Sequence, residues 1–219
     1  YKEIQPTILT GWNVEFFDIT YLYNRAQQIV GQTIANFLSP IGIVQWSEFV
    51  KRYKIAGVSV LDYLGLYKRF TFSEQPSYRL DAIGEFEIGE KKVAYEGTLN
   101  ELYENDLNKF VEYNIQDVRL IKKLDDKLDF IGIARGLAHL GHVPYENVFM
   151  SSRYLEGAIL VYLKKNSIVA PNKPRKFDHS KLEKFVGAYV QEPQRGKHDW
   201  VYDLDITSMY PSCIMSLNI

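Results

Sequence analysis

The segment from Glu104 to Leu128 constrains the fold of this chain most, because it is long and strongly periodic. Apolar residues recur through it at helical spacing, which predicts a long helix capped by Asn105 or Asp106. Asp117 lies inside the apolar stripe of that helix. The same stripe carries Phe110, Tyr113, Leu120 and Leu124. Because an isolated buried carboxylate is too costly, the fold must solvate Asp117 in a cleft, pair it or give it a cation.

Composition limits the classes of protein that this chain can be. Its 219 residues are 46% hydrophobic and 24% charged, which is typical of a folded domain with a sizeable core. A single cysteine, Cys213, excludes an intrachain disulfide and a thiolate zinc site, so we expect a reducing, cytoplasmic compartment. The apolar stretches are too short to span a bilayer, so no membrane contact is expected. Because the net charge is −1, any contact with a polyanion must be local.

Strand-like and helix-like segments alternate along the first part of the chain. Residues 6–12 form a short apolar run, which predicts a buried strand, and Asp18 then stands at a strand-to-helix junction. The helix that follows is expected to present one apolar face made of Ile19, Leu22, Ala26 and Ile29. Residues 58–63 predict a second strand and residues 63–70 a helix, while residues 41–57 alternate as a hairpin does.

The second part of the chain changes in character at a linker. Residues 130–163 predict further helix with one break. Two prolines and three basic residues make 170–176 the best linker, so we expect a domain boundary there. Residues 185–193 and 200–206 then predict strands, and Pro211 suits the first turn of a final helix.

Asp18 and Asp117 are the residues that favour metal-dependent chemistry. Each stands where its side chain can point into one cleft over an α/β sheet, and hard divalent cations prefer such oxygen ligands. Tyr113 lies one helical turn before Asp117 and faces the same way, so it is placed to orient an attacking water. Two simpler interpretations stay open, since Asp18 also suits a helix cap and Asp117 could pair with a core arginine or tyrosine.

A second group of candidates lies at residues 205–212, with the sequence DITSMYPS. Asp205 follows a predicted strand and precedes a turn and a helix. This arrangement presents a metal-binding carboxylate beside backbone N–H groups that suit phosphate oxygens. Tyr210 would lie beside a ligand in that turn, as a flat floor under a sugar. An aromatic residue before proline is also a common packing residue, so both interpretations stay open.

Four segments together resemble the family B DNA polymerases, in the order and spacing of that family. NVEFFD at residues 13–18 resembles the second exonuclease motif, YNIQD at 113–117 the third, and DITSMYPS at 205–212 polymerase motif A. FVGA at residues 185–188 is similar to a short motif between the exonuclease and polymerase domains, with Phe in place of the usual Tyr. The intervening sequence is most similar to the replicative polymerases of T-even-type phages.

The resemblance implies an α/β fold that begins with an RNase H-like 3′ to 5′ exonuclease domain. That domain would have a mixed sheet with flanking helices. The start of an α+β polymerase palm would follow it. The implied domains are the exonuclease domain at residues 1–130, a helical connecting segment and linker at 131–176, and the beginning of the palm at 177–219. The implied function is that of a proofreading DNA polymerase in phage DNA replication, working by two-metal chemistry in the bacterial host cytoplasm.

The same resemblance implies a role for each motif residue. Magnesium ions would be held by Asp18 and Asp117 in the exonuclease site and by Asp205 in the polymerase site. Tyr113 would orient water, and Tyr210 would be the steric gate against ribonucleotides. The supporting residues would be Asn13 and Phe17 for the exonuclease site, Ser208 and Met209 for the incoming nucleotide, and Gly187 and Ala188 for DNA.

Both implied active sites are incomplete in this sequence. An Asp-x-Glu motif expected upstream of Tyr1, a later palm carboxylate and a basic triphosphate-binding helix are missing, so we expect an internal piece of a longer polypeptide that is inactive alone. The expected partners are DNA primer-template, deoxynucleoside triphosphates and the remaining polymerase segments, in cis or as a partner chain. Two alternatives stay open, a stand-alone RNase H-like nuclease and a non-catalytic scaffold subunit of a split polymerase.

Overall fold

Two compact units, Tyr1–Pro171 and Asn172–Ile219, make up the chain. The structure is a computed structural model that describes residues 3–48, 50–172 and 187–219. Part of the predicted linker and the first two residues of FVGA lie outside the described residues, and the predicted domain boundaries stay predictions. No described helix is both long and apolar enough to cross a membrane.

Helices and strands alternate in the first unit, as expected for an α/β domain. Its strands are β1 (Ile8–Gly11), β2 (Val44–Ser47), β3 (Arg52–Ile55) and β4 (Ser59–Asp62). Its helices are α1 (Asp18–Val30), α2 (Gln32–Ala35), α3 (Tyr63–Phe70), α4 (Leu80–Ile88), α5 (Leu99–Asn105), α6 (Leu107–Leu128), α7 (Phe130–Gly141) and α8 (Ser151–Lys165), with 3₁₀ turns at Asn36–Leu38 and Tyr145–Phe149. The second unit contains α9 (Met209–Leu217).

A parallel pair of strands organises the first unit. β1 pairs with β4 so that Ile8 lies opposite Ser59 and Gly11 opposite Asp62. Because parallel strands need a long crossover, the chain between them has room for α1, α2 and the antiparallel hairpin of β2 and β3. Both predicted strands and the predicted hairpin are confirmed. The two parallel strands end at the same edge, and each is followed by a helix.

The stripe that the sequence predicts on the long helix is confirmed in α6. Leu120 and Leu124 are fully buried in the main core, and Asp117 lies one turn before Leu120 on the same side. The helix is shorter than predicted because Asp106 separates it from α5. The Asp106 carboxylate accepts a hydrogen bond from the backbone N–H of Lys109 at 3.0 Å, as an N-cap does.

The face that α1 buries differs from the predicted one. Ile19 and Tyr23 are buried, whereas Leu22 and Ile29 are more than half exposed. The choice is made by a tertiary contact, because the ring of Tyr23 packs on that of Tyr53 in β3, with centroids 4.5 Å apart. Helical periodicity alone cannot choose between two overlapping apolar stripes.

The predicted strands of the second unit are wrong as far as the described residues go. Residues 187–193 and 200–206 have no strand pairing and are exposed. Their alternating apolar side chains do not suffice, since a strand is stable only when a partner satisfies its backbone groups. The final helix is present as predicted, and Pro211 lies in the first turn of α9.

The close approach of the chain after α4 to Gly84 in that helix gives a test of this fold. A Cβ added to Gly84 would lie 2.7 Å from the carbonyl oxygen of Glu90, so Gly84→Ala should lower the free energy of unfolding by about 1–3 kcal/mol. Gly136 in α7 is the matched control, because a Cβ there meets nothing within 4 Å. Gly136→Ala should raise stability by about 0.5–1 kcal/mol. Urea denaturation measures both, and equal effects would contradict the close approach of the Glu90 carbonyl to Gly84.

Candidate functional site

A cleft of about 980 Å³ opens beside the carboxyl ends of β1 and β4. Its lining includes Asp18 at the start of α1 and Asp117 in the middle of α6. The parallel register determines one side of the cleft, because the connection from β1 to α1 leaves the sheet there. The structure thus brings together, on one cleft, the two carboxylates that the sequence singles out.

The connection from β1 to α1 takes an unusual path. Asn13 has a left-handed backbone, with φ of 61°, and its N–H donates to Asp62 Oδ1 at 3.0 Å. Phe17 precedes the helix, is exposed, and stacks on Tyr21 at a centroid distance of 6.4 Å. Asp18 is the first residue of α1, and the N-cap residue before it, Phe17, makes no side-chain cap hydrogen bond. The helix-cap interpretation of Asp18 is wrong, and its carboxylate is left for the cleft.

Two carboxylates, the exposed Asp18 and the buried Asp62, lie at this edge of the sheet. Partial burial raises the pKa of Asp18, and the negative charge of Asp62 adds to that effect. Burial also raises the pKa of Asp62, although hydrogen bonds from the backbone N–H groups of Asn13 and Leu64 oppose the rise. The Asp62 side chain caps α3 through Leu64. Sequence reasoning missed Asp62, yet it has the same signature as Asp18, an aspartate where a strand gives way to a helix.

Asp117 is paired with a lysine, which sequence reasoning did not find. The Lys92 ammonium donates to Asp117 Oδ2 at 2.5 Å and to the Tyr113 hydroxyl at 3.1 Å. Burial alone would lower the pKa of Lys92, but its bonds to Asp117 and Tyr113 outweigh burial and raise it. Lys92 comes from the loop after α4, whose sequence carries no pattern that places it. The one signal in the sequence that pointed to a partner such as Lys92 is that a buried carboxylate needs a cation.

The same carboxylate retains one free oxygen. Asp117 Oδ1 is buried and has no hydrogen-bond partner among the described residues. The described parts of the chain also contain no group of three or more acidic, histidine or cysteine side chains that could hold a metal ion. Asp18 and Asp117 therefore suit a cation by their chemistry, but they fall short of the three or four ligands that a complete site uses.

The remaining candidates lie in the second unit. Asp205 is exposed in a segment without regular secondary structure, and a turn separates it from α9. Ser208 precedes the helix with φ of 54°, Met209 is its first residue, and Tyr210 is 65% exposed. Gly187 and Ala188 are exposed and have no regular secondary structure. The structure thus places Ser208, Met209 and Tyr210 in one turn shortly after Asp205.

Comparison with known proteins assigns the family. Residues 1–83 match "DNA polymerase family B, exonuclease domain", and residues 145–219 match "DNA polymerase family B". This chain belongs to the family B DNA polymerases. The resemblance that the motifs predict is confirmed, and the two matches follow one another in the predicted order.

Relatives of this family B chain include two phage enzymes. It is 36% identical to the DNA-directed DNA polymerase of Escherichia phage RB69 and 34% identical to that of Enterobacteria phage T4. Each alignment covers 100% of this chain and 24% and 25% of the respective relative. The chain therefore spans about a quarter of the length of the curated relatives it matches.

A solved structure shares the fold of this family B chain. The family B DNA polymerase from the archaeon Pyrobaculum calidifontis superposes with a TM-score of 0.57, at 22% identity. The match covers 81% of this chain and 24% of that one. The predicted α/β fold class is confirmed by this likeness together with the family matches.

The pairing of Lys92 with Asp117 gives a test of the cleft. Lys92→Met should lower the free energy of unfolding by about 1–3 kcal/mol at pH 7, because it leaves a largely buried carboxylate unpaired. Folding raises the Lys92 pKa above its ordinary value of 10.5, so the wild type should lose this contribution as the pH rises past that value. Denaturation of both proteins from pH 7 to 11 measures the difference.

Lys122→Met is the matched control for that experiment. Lys122 makes an ion pair of similar length with Asp126, but both side chains are mostly exposed. Its loss should change stability by less than about 0.5 kcal/mol. A Lys92→Met effect no larger than the Lys122→Met effect would contradict the pairing.

Proposed function

We propose that this chain supplies parts of two catalytic centres of a replicative DNA polymerase. The first unit would contribute to a 3′ to 5′ proofreading exonuclease, and the second would begin the polymerase palm. The observation that carries the proposal is the placement of Asp18 and Asp117, which are far apart in sequence, on the lining of one cleft. The proposed domains are residues 1–130, 131–176 and 177–219.

Magnesium is the proposed cofactor, because family B polymerases are generally metal-dependent. Asp18 and Asp117 would hold it in the exonuclease centre, and the unpartnered Oδ1 of Asp117 supports that assignment. Bound magnesium would supply an activated water and would stabilise the leaving oxygen. The further ligands would come from the remaining polymerase segments, in cis or as a partner chain.

The proposed role of Tyr113 follows from its contact with Lys92. The Lys92 ammonium donates to the Tyr113 oxygen, so the Tyr113 hydroxyl hydrogen is free to donate elsewhere. A hydroxyl held in this way can orient a water in the cleft by a hydrogen bond. Lys92 also fixes the Asp117 carboxylate, so one ammonium group positions two of the proposed exonuclease residues.

The proposed polymerase centre uses the second unit. Asp205 would hold magnesium, and the backbone of Ser208 and Met209 at the start of α9 would meet the phosphates of a deoxynucleoside triphosphate. The exposed ring of Tyr210 would exclude a sugar that carries a 2′-hydroxyl. Gly187 and Ala188 would contact DNA. In the exonuclease centre, Asn13 and Phe17 would be the supporting residues.

The proposed setting is DNA replication in a bacterial cytoplasm, with DNA primer-template and deoxynucleoside triphosphates as substrates. The names of the phage relatives support this choice. A stand-alone RNase H-like nuclease is less favoured, because the described residues contain no group of three or more side chains that could hold a metal ion, whereas such an enzyme needs about four ligands. A scaffold subunit is less favoured because it has no need of an unpartnered buried carboxylate oxygen.

Complementation tests the exonuclease centre. The chain, supplied with the remaining segments of a family B polymerase, should degrade single-stranded DNA from its 3′ end when magnesium is present. Asp117→Ala should reduce the rate by more than about 100-fold, since changes outside the ligand shell alone cost 10–100-fold. Asp126→Ala is the control, because Asp126 lines the same cleft but is exposed and paired with Lys122.

The outcomes separate the three functions. Degradation that survives Asp117→Ala would rule out the exonuclease assignment. Cleavage by the chain alone would favour the stand-alone nuclease. A chain that shows no magnesium-dependent NMR shifts at Asp18 and Asp117, with or without the other segments, would favour the scaffold.

Nucleotide selection tests the polymerase centre. In the complemented enzyme, Tyr210→Ala should increase incorporation of ribonucleotides relative to deoxynucleotides, because it removes the ring that would exclude the 2′-hydroxyl. Tyr202→Ala is the control, since Tyr202 is also exposed in the same unit but lies outside the turn. Primer extension with each nucleotide measures the ratio, and an unchanged ratio in Tyr210→Ala would remove the proposed role.

A further inference from the structure

One oxygen atom of Asp62 joins the two connections that leave the parallel strands. Asp62 Oδ1 accepts a hydrogen bond from the Asn13 N–H at 3.0 Å and another from the Leu64 N–H at 3.0 Å. Asn13 belongs to the connection after β1, and Leu64 to the first turn of α3 after β4. Asp62 is 8% exposed, and it lies opposite Gly11 in the parallel register.

The Asn13 end of this link continues to Asp18 through backbone hydrogen bonds. The Asn13 carbonyl accepts from the Phe17 N–H at 3.3 Å, and the Val14 carbonyl accepts from the Ile19 N–H at 3.0 Å. Asp18 stands between those two donors. The position of Asn13 therefore determines where α1 begins and where the Asp18 carboxylate leaves the backbone.

Asn13 needs such a partner because its conformation is costly. A non-glycine residue in the left-handed region is strained, although asparagine tolerates it better than most. An N–H that points into the protein without an acceptor adds a further penalty. The Asp62 carboxylate removes that penalty and stabilises this one path of the connection.

A second contact limits the movement of the same connection. Glu15 forms an ion pair with Arg52 of β3, and its side chain is only 11% exposed. The charge of Arg52 also acts on Asp62. Arg52 thus neutralises part of the negative charge that Asp62 and Glu15 concentrate beside Asp18.

We propose that Asp62 is a positioning residue for Asp18, acting through the Asn13 amide. This inference rests on the proposed exonuclease function. Asp62 is not itself a ligand in the proposal, because its Oδ1 already accepts two backbone N–H groups and the side chain is not part of the cleft lining. Its contribution is the acceptor geometry at Oδ1, which an asparagine amide oxygen can reproduce.

Two substitutions separate geometry from charge. In the complemented enzyme, Asp62→Ala should lower kcat for single-stranded DNA by about 10–100-fold and raise the magnesium concentration needed for half-maximal rate, with little change in KM for DNA. Asp62→Asn keeps an acceptor of the same shape and should restore kcat to within a few-fold of wild type. If Asp62→Asn is as impaired as Asp62→Ala, acceptor geometry is not the cause and the proposal is overturned.

Asp62→Ala could lower activity by destabilising the protein rather than by moving Asp18, so this effect needs its own control. Asp62→Ala also removes the cap of α3, and Thr98→Ala removes the cap of α5, where Thr98 and Glu101 form a capping box outside the cleft. Thr98→Ala should leave kcat and the magnesium requirement unchanged. If it reproduces the Asp62→Ala effect, general destabilisation explains both and the proposal is overturned.

Hydrogen exchange of the unmodified chain tests the link without any variant. The Asn13 amide should exchange at least about tenfold more slowly than an unprotected amide, because its hydrogen is bonded to Asp62. Exchange at the unprotected rate would overturn the proposal. Failure of the proposed function has a different signature, since Asp117→Ala would then leave degradation intact, whereas failure of this inference leaves Asp117→Ala inactive and Asp62→Ala active.

Discussion

Parallel pairing of β1 with β4 determines the geometry on which the cleft depends. Two strands that run the same way release their following segments at the same edge, so the start of α1 and the start of α3 become neighbours. Gly11 opposite Asp62 is the last pair of that register, and the Asn13 amide reaches Asp62 directly beyond it. A shift of one residue in the register of β1 against β4 would turn the Asp62 side chain to the other face of the sheet and separate the two connections.

Three carboxylates in or beside the cleft, those of Asp18, Asp62 and Asp117, meet the cost of desolvation in three ways. Asp62 is the most buried and accepts backbone N–H bonds. Asp117 is partly buried, and the Lys92 ammonium compensates one of its oxygens while the other has no described partner. Asp18, at the start of α1, is the most exposed of the three, and the desolvation that raises its pKa is only partial. The two groups proposed as ligands are thus the two whose oxygens are not fully engaged by the protein.

The sequence predicts the elements well where a feature is local. Asp106 as a cap, the strands at residues 6–12 and 58–63, and the stripe that carries Asp117 into the protein all follow from short-range patterns. Lys92 could not be predicted, because its loop has no periodicity and its partner lies on another helix. The prediction of which face α1 buries is wrong for a similar reason, since a contact with another element, that of Tyr23 with Tyr53, decides it. The strands predicted at residues 185–193 and 200–206 are wrong over their described residues, because alternation specifies a strand only when a partner is present.

The charged side chains that line the cleft determine how strongly this part of a near-neutral chain would attract DNA phosphates. The acidic side chains of the lining are Asp18, Asp81, Asp117, Asp125 and Asp126, and the basic ones are Arg79, Lys92 and Lys122. Two of those basic groups are already paired, Lys92 with Asp117 and Lys122 with Asp126. On the proposed function, a DNA phosphate therefore gains little from the lining alone, and cations bound at its carboxylates would supply the missing attraction. On that proposal, affinity for DNA at this site would depend on the metal concentration more than on the net charge of −1.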